Sequence, residues 1–283
     1  MERFWRAPPW YGDSRFRKNR KPHTMTQPLN AITRLPSSCM DACELTHLTR
    51  APIDRVKARR QHAVYCQTLA DCGARVQVLA ADDALPDCAF VEDMALVLPE
   101  LNVLCRPGAP SRRGELAAVS SALPDDRPTA RVEGPATLDG GDVLVVGRRL
   151  FVGKTRRTNA QGIAALRILL EPHGYEISAV PVSGALHFKS ACTALDSNTL
   201  LINRAWVDAS RFEGFNLIDV ADDEPFAANA LTLGERVLAQ AACPATAEAI
   251  EARGFRTIAL DISEFSKAEA ALTCMSLLYS PSA

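Results

Sequence analysis

The sequence predicts an α/β protein built as a closed, propeller-like ring of repeated units. Helical and strand patterns alternate along the 283-residue chain, and short hairpins separate successive helices. Polar residues also recur at a regular spacing: Asp93, Asp139 and His187 lie roughly 47 residues apart, and Cys274 follows after nearly twice that interval. Periods in this range are typical of propellers and solenoids.

The first unit combines a helix, a strand and a hairpin. Apolar residues at helical spacing predict a helix over 54–72. The alternating segment 74–80 predicts a strand, and segments 95–98 and 103–106 predict a hairpin. The repeating unit is therefore helix, strand, hairpin.

The same order recurs in three further units. Helix, strand and hairpin are predicted at 114–123, 129–133 and 143–152; at 159–171, 175–180 and 192–203; and, with a weaker pattern, at 205–212, 216–220 and 228–240.

The fifth unit is divided between the two ends of the chain. Its helix is predicted at 245–253 and its strand at 255–260, and segment 272–279 is expected to pair with 29–34. Pairing of the N- and C-terminal strands closes the ring and leaves no exposed sheet edge.

A doubly wound α/β sheet is the alternative for any chain in which helices and strands alternate. The hairpins argue against it, because neighbouring parallel strands need long crossover connections rather than short turns. The ring is therefore the preferred interpretation.

Composition is that of a soluble globular chain, with 47% hydrophobic and 23% charged residues. A net charge of −1 gives no reason to expect a nucleic-acid partner. No apolar run approaches the length needed to cross a bilayer, so no membrane association is expected. Nine cysteines without a CxxC pair indicate neither a disulfide framework nor a zinc site. A reducing cytoplasm is the expected location.

Residues 1–24 differ from the rest of the chain. They are rich in arginine and lysine, with two tryptophans and a tyrosine interspersed, and they show no helical period. We expect a disordered extension, more plausibly a non-native one upstream of Met25 than a basic tail for anionic partners. Residues 25–283 are expected to form a single catalytic domain.

Cys274 is the candidate nucleophile. A cysteine reacts as its thiolate, which a nearby histidine and an orienting carboxylate can stabilise. His187 begins a predicted hairpin and has apolar neighbours on its N-terminal side, where a polar side chain has no packing role. The other cysteines are interpreted as small buried hydrophobic residues.

Acidic residues accompany this pair. Asp139 lies in the motif Thr-Leu-Asp-Gly-Gly-Asp, whose glycines allow close approach of the backbone to a ligand. Glu92 and Asp93 end an apolar stretch, and two adjacent acids suit a cationic group such as a guanidinium.

Seven ordered stretches resemble the dimethylarginine dimethylaminohydrolase family, within the guanidine-modifying, amidinotransferase-like superfamily. They are Leu85-Pro-Asp-Cys-Ala-Phe-Val-Glu-Asp93, Arg106-Pro-Gly-Ala-Pro-Ser-Arg-Arg-Gly-Glu115, Leu138-Asp-Gly-Gly-Asp142, Arg157-Thr-Asn-Ala-Gln-Gly162, Leu186-His-Phe-Lys189, Glu224-Pro-Phe-Ala-Ala-Asn229 and Leu272-Thr-Cys-Met-Ser276. The resemblance spans 29–279 and implies a five-bladed α/β propeller of ββαβ repeats, the pentein-type fold.

The resemblance also implies an activity, the hydrolysis of Nω-methylated arginine to citrulline and a methylamine without metal or organic cofactor. Cys274 would attack the guanidinium carbon, and His187 would act as general acid and then as base. Asp139 occupies the position of the acid that orients this histidine.

Substrate-binding roles follow from the same resemblance. Glu92 and Asp93 would bind the guanidinium, and Asp87 would line the pocket. Arg112 would bind the α-carboxylate with help from Arg157. The backbone near Ala268 would recognise the α-amino group.

Two stretches depart from the family pattern. Ala271 stands where many relatives are expected to have glycine, which would tighten the approach to the nucleophile. Segment 37–47, with Cys39 and Cys43, only loosely resembles the substrate lid, whose expected role is to exclude water before chemistry.

Three alternatives stay open. An arginine deiminase would use the same Cys, His and acids, but it would carry an aspartate where Lys189 stands and an inserted helical domain. A citrulline ureidase-like hydrolase is the second, and a non-catalytic guanidine-binding protein is the third. The sequence does not fix the oligomeric state and leaves a homodimer open.

Overall fold

The sheets of the protein are small and numerous. A computed structural model describes residues 29–282, so the predicted extension at 1–24 lies outside the described residues. Within that range the strands are β1 (Leu29–Arg34), β2 (Ala74–Leu79), β3 (Ala95–Val97), β4 (Asn102–Leu104), β5 (Thr129–Arg131), β6 (Val143–Val146), β7 (Arg149–Lys154), β8 (Glu176–Pro181), β9 (Cys192–Ala194), β10 (Thr199–Ile202), β11 (Asn216–Asp219), β12 (Leu231–Leu233), β13 (Arg236–Gln240), β14 (Arg256–Leu260) and β15 (Leu277–Tyr279).

Helices are fewer than strands. The α-helices of the described chain are α1 (Arg55–Asp71), α2 (Leu116–Ser120), α3 (Ala160–Leu170), α4 (Pro244–Glu251) and α5 (Ser263–Ser266). Asp54 begins α1 by accepting hydrogen bonds from the amides of Val56 and Lys57, and Asn159 begins α3 in the same way through Gly162. No helix in residues 29–282 is long and apolar enough to cross a membrane.

The fifteen described strands form five three-stranded sheets with one topology. In each sheet an antiparallel pair of strands is extended by a third strand parallel to the second, as in β6–β7–β8, where Val143 is opposite Val152 and Leu150 is opposite Ile177. The parallel strand needs a crossover, which α3 provides in this sheet. The repeat is therefore ββαβ, and the predicted five-bladed α/β propeller is confirmed.

The blade boundary lies at a different place from the predicted unit. Hairpin β3–β4 was assigned to the strand before it, β2, but it pairs with the strand after it, β5. The register places Asn102 opposite Thr129. Each blade thus begins with an antiparallel pair of strands and takes its last strand from beyond a crossover.

Pairing of the chain's terminal strands closes the ring as expected. β1 runs antiparallel to β15, with Asn30 opposite Tyr279 and Ile32 opposite Leu277, and parallel to β2 on its other side. One blade therefore contains strands from both ends of the chain, and unfolding of either end breaks the ring.

Two predicted helices differ from the structure. In the fourth unit, 205–212 was predicted to be helical, but only a 3-10 turn, Ala209–Phe212, forms there. Asp208 caps this turn through the amide of Ser210, and Gly214, at φ +86°, lies just beyond it. In the second unit, a 3-10 turn over Pro110–Glu115 precedes the short helix α2 within the predicted 114–123.

Candidate active site

Short 3-10 turns at the entrances to four blades carry the predicted reactive residues. The turns are Val91–Met94 before β3, Gly140–Asp142 before β6, Phe188–Ser190 before β9 and Thr273–Met275 before β15. Glu92 and Asp93 lie in the first, Asp139 and His187 directly precede the second and third, and Cys274 lies in the fourth. The common position within each blade accounts for the regular spacing in the sequence.

The His187 imidazole lies among carboxylates. Its Nε2 is 2.9 Å from Oδ2 of Asp139 and 3.8 Å from Oδ1 of Asp93, and all three side chains are buried. Burial lowers the pKa of His187, but the charges of Asp93, Asp139 and Asp142 outweigh it and raise the pKa to about 9. His187 is thus protonated at neutral pH and can act as an acid.

Gly140 and Gly141 permit this close packing. A Cβ on Gly140 would lie 2.0 Å from the carbonyl oxygen of Glu92, and one on Gly141 would lie 2.6 Å from Oδ1 of Asp93. The glycines were predicted to admit a ligand, but they admit neighbouring site residues instead. Any larger residue would separate Asp139 from the turn that carries Glu92 and Asp93.

Asp93 connects three parts of the site. Its Oδ1 accepts a hydrogen bond of 2.9 Å from the amide of Gly141, and its Oδ2 pairs with Arg112. Burial alone would raise the pKa of Asp93, but His187 and Arg112 hold it well below its usual range. Asp93 therefore stays ionised.

Glu92 is held from both sides. Lys189 Nζ lies 2.6 Å from its Oε1, and the Thr273 hydroxyl donates a 2.7 Å hydrogen bond to its Oε2. Burial raises the pKa of Glu92 although Lys189 opposes the shift. Because Thr273 precedes Cys274, Glu92 is tied directly to the turn that carries Cys274.

Cys274 is buried and its thiol is held neutral. The amide of Ala271, at the position where glycine was expected, points at its Sγ from 3.4 Å and contacts the sulfur through its backbone. Burial, followed by the charges of Glu92 and Asp93, raises the pKa of Cys274 to about 12. A cation placed beside these acids would lower that pKa.

The two predicted carboxylate-binding arginines have different surroundings. Arg112 is buried and already pairs with Asp93 and Glu115. Arg157 Nη1 is buried without a hydrogen-bond partner and lies 3.6 Å from Oδ2 of Asp139. Arg157 can therefore donate a further hydrogen bond in the site, whereas Arg112 is already bound to Asp93 and Glu115.

Asp87 and Ala268 lie at the margins of the site. Asp87 accepts hydrogen bonds of 3.1 and 3.3 Å from the amide of Glu44, and burial raises the pKa of its carboxyl group. Ala268 is buried, and its amide bonds to the carbonyl oxygen of Phe265. Their predicted contacts with substrate stay predictions.

Several supporting residues were not identified from the sequence. Asp142 is fully buried and accepts hydrogen bonds from the Phe188 amide and the Thr155 hydroxyl, which anchors the His187 turn. Asn229 binds both the amide and the hydroxyl of Thr273 at 3.0 Å. The regular blade spacing could have pointed to Asn229, because it precedes β12 as the other site residues precede their strands.

The potential ligand atoms of Asp93, Asp139 and His187 all lie within 4.8 Å of one another. That spacing alone would allow a cation to bind. However, His187 Nε2 already bonds to Asp139, and Arg112 neutralises Asp93. The three side chains therefore fit a protonated histidine balanced by carboxylates better than a set of free metal ligands.

Two cavities flank the site. One of about 320 Å³ is lined mainly by apolar groups, including Leu48, Leu186, Phe226 and Ala271. The other, of about 580 Å³, lies between the first strands of the blades and is lined in part by Glu92, Lys189 and Thr273. The buried Glu92–Lys189 pair therefore forms part of the wall of this central cavity.

Comparison with known proteins identifies the fold and then the family. No family model matches the chain. The structure superposes on a dimethylarginine dimethylaminohydrolase from Pseudomonas aeruginosa, a cysteine-to-serine mutant complexed with citrulline, with a TM-score of 0.84 and 33% identity, covering 88% of this chain and 98% of that one. An arginine dihydrolase domain from cyanobacteria, ArgZ, shares the fold at 20% identity with a TM-score of 0.80. The protein is thus a pentein-type α/β propeller.

Sequence similarity to curated proteins identifies the family within this fold class. The chain is 36% identical over 251 residues to the N(G),N(G)-dimethylarginine dimethylaminohydrolase of Pseudomonas aeruginosa, covering 88% of this chain and 98% of the relative. It is 39% identical over 250 residues to the enzyme of that name from Streptomyces coelicolor, covering 87% and 95%. The chain belongs to the dimethylarginine dimethylaminohydrolase family.

Proposed function

We infer that this protein hydrolyses Nω-methylated arginine, both monomethylarginine and asymmetric dimethylarginine, to citrulline and the corresponding methylamine. The observation that carries the inference is the protonated His187, held by Asp139 beside Asp93, whose charge also acts on the buried Cys274. A cationic substrate fits a site whose buried acids include Glu92 and Asp93.

Binding of the substrate activates the thiol. The guanidinium lies against Glu92 and Asp93, and its positive charge offsets the two negative charges that raise the pKa of Cys274. The pKa falls, and the thiol proton is lost to solvent. A neutral thiol in the free protein thus becomes a thiolate where the guanidinium carbon is bound.

The first chemical step forms a covalent intermediate. The Cys274 thiolate attacks the guanidinium carbon, and His187 donates its proton to the departing methylamine as the C–N bond breaks. A thiouronium on Cys274 remains. His187, now neutral, keeps its hydrogen bond to Asp139.

The second step releases citrulline. Water attacks the same carbon, and neutral His187 accepts its proton while the C–S bond breaks. Citrulline forms and the imidazolium is restored, while the second proton of the water passes to the departing sulfur, so that Cys274 returns to the neutral thiol of the free protein. Asp139 favours the imidazolium in both steps because its carboxylate lies 2.9 Å from Nε2.

The α-carboxylate and α-amino groups of the substrate are recognised by residues at the edge of the site. Arg157, whose buried Nη1 makes no hydrogen bond, binds the α-carboxylate, and Arg112 supports it while holding Asp93. Asp87 lines the pocket, and the backbone near Ala268 meets the α-amino group.

Citrulline production from two substrates tests the assignment. The protein is incubated with asymmetric dimethylarginine and, separately, with arginine, and citrulline is measured from both. Citrulline from the methylated substrate alone supports the proposed function. Preference for arginine would mean a deiminase, and no citrulline from either would favour a ureidase-like or binding role.

We further propose that the enzyme is cytoplasmic and that residues 25–283 form one catalytic domain. All nine cysteines are free, which suits a reducing compartment. No partner beyond the small-molecule substrate is required by this chemistry, and a homodimer remains the assembly to test by light scattering.

A further inference from the structure

Glu269 has an unusual backbone conformation. Among residues 29–282 it is the sole non-glycine residue with positive φ, at 56°. It lies just beyond α5, where the amide of Ala270 bonds back to the carbonyl oxygen of Phe265. Glycine is preferred at such a position because a side chain disfavours left-handed backbone. A glutamate there calls for a contact that offsets the cost.

That contact is a carboxylate held by three consecutive amides. The Glu269 carboxylate accepts hydrogen bonds from the backbone N–H groups of Thr46 at 3.0 Å, His47 at 2.5 Å and Leu48 at 2.5 Å. Successive amides that converge on one anion form a strong anion-binding arrangement. The two segments lie more than 200 residues apart in sequence, so the contact connects different parts of the ring.

The amides belong to a segment without regular structure, residues 44–50, which we call the strap. At its start the amide of Glu44 donates to Asp87, and at its end Arg50 donates to the carbonyl oxygen of Cys43 at 2.7 Å. The strap thus runs from the Asp87 loop to the loop that precedes Cys274. It joins the two sides of the candidate active site.

The strap also forms part of the wall of the 320 Å³ cavity beside the candidate active site. His47 and Leu48 line the 320 Å³ cavity together with Leu186, which precedes His187, and Ala271, whose amide contacts Cys274. Release of this end of the strap would open that cavity to solvent. The Asp87 end would remain attached.

We propose that Glu269 is a positioning residue that fixes the strap over the active site before substrate binds. Its contribution to turnover rests on the proposed hydrolysis of methylated arginine. If the strap is already ordered in the free protein, substrate binding carries a smaller entropic cost. Loss of the Glu269 carboxylate should therefore weaken the apparent affinity for substrate more than it slows the chemical step.

Glu269→Gly is the sharpest variant, because glycine suits the left-handed backbone and removes the carboxylate without adding backbone strain. We expect faster amide hydrogen exchange in the peptide that contains residues 46–48. We also expect KM for methylated arginine to rise about tenfold, with kcat changed less than about twofold. Glu269→Gln, which keeps one acceptor oxygen, gives intermediate values. Glu213→Gly, at an exposed glutamate beside Gly214, serves as the control.

The hydrogen-exchange measurement needs no substrate, so it tests the strap contact separately from the proposed hydrolysis of methylated arginine. Faster exchange in a protein that hydrolyses no methylated arginine would refute the proposed function and leave the strap contact standing. Unchanged exchange in Glu269→Gly overturns the strap contact. Faster exchange with unchanged KM overturns the positioning role.

Discussion

His187 Nε2 lies 2.9 Å from Oδ2 of Asp139, and the two residues belong to successive blades of the ring. The hydrogen bond fixes one nitrogen of the imidazole, and the other nitrogen, Nδ1, packs against Gly141. Together with Asp93 it makes the histidine an acid whose pKa lies above neutrality. The propeller thus assembles this protonated imidazole from residues supplied by different repeats.

Replacement of Asp139 by asparagine should move the alkaline limit of activity. His187 must be protonated to release the amine, so kcat/KM falls as the pH rises through its pKa of about 9. Loss of one neighbouring carboxylate lowers that pKa, and the fall shifts to lower pH. We also expect kcat to drop about 100-fold. Asp222→Asn, at an exposed aspartate, should leave the profile unchanged, and an unshifted limit in Asp139→Asn would contradict the assignment.

Removal of Lys189 should destabilise the fold. Lys189→Met leaves Glu92 buried without its cation, and we expect the free energy of unfolding to fall by about 3 kcal/mol. The double variant Lys189→Met/Glu92→Gln should recover part of the loss, because the uncompensated charge is gone. Urea titration of the three proteins measures these differences. Lys154→Met, at an exposed lysine, provides the control, and equal stability of the single and double variants would argue against the ion pair.

Arg157→Ala should separate recognition of the carboxylate from recognition of the guanidinium. We expect KM for asymmetric dimethylarginine to rise roughly 10- to 100-fold, because a charged hydrogen-bonding partner is lost. A dimethylated alkylguanidine without a carboxylate should be turned over as by the unaltered protein. Arg156→Ala, at the exposed neighbour, is the matched control. Equal losses on both substrates would remove Arg157 from this role.

Arg112→Ala should give a different pattern. The sequence predicts a selective rise in KM for the amino-acid substrate, and the structure adds that Asp93 and Glu115 lose their buried partner. We therefore expect a lower melting temperature as well as the rise in KM. Calorimetry beside steady-state kinetics separates the two effects, and an unchanged melting temperature would show that these ion pairs contribute little.

Chelators should leave activity intact. The chemistry described above uses only Cys274, His187 and the acids around them, although Asp93, Asp139 and His187 are close enough to bind a cation. Citrulline formation after dialysis against EDTA should equal that of the untreated protein. A loss restored by one divalent metal would show that this cluster has a metal-dependent role.

Local sequence patterns predicted the repeat well because each blade contains a complete set of local signals. Hairpins, capped helices and alternating strands are each encoded within a few residues, and their recurrence indicated the ring. The pairing of β1 with β15 followed from the need to close it. The blade boundary could not be predicted in this way, because no local signal tells whether hairpin β3–β4 pairs with β2 or with β5.

The fourth unit shows where local patterns failed. Its apolar residues fit a helix over 205–212, but the Asp208 cap and Gly214 leave room for only one 3-10 turn. Trp206 and Val207 instead pack into the core cluster around Phe212. Tertiary packing there outweighed helical spacing.

The candidate site was predicted in its residues but not in its contacts. Spacing indicated Asp93, Asp139, His187 and Cys274, and the structure brings potential ligand atoms of the first three within 4.8 Å of one another, with a hydrogen bond between Asp139 and His187. Arg112 was expected to meet substrate, yet it also neutralises Asp93. The contact of Glu269 with the strap depends on chain segments that meet only in the folded ring.

Trapping the covalent intermediate tests the central claim most directly. The protein is mixed with asymmetric dimethylarginine, quenched in acid and digested, and the peptide that contains Cys274 is weighed by mass spectrometry. Hydrolysis through Cys274 predicts a peptide heavier by the substrate less dimethylamine, absent from Cys274→Ser and present in the control Cys39→Ser. Citrulline formation by Cys274→Ser at the normal rate, or an adduct on another cysteine, would contradict the account.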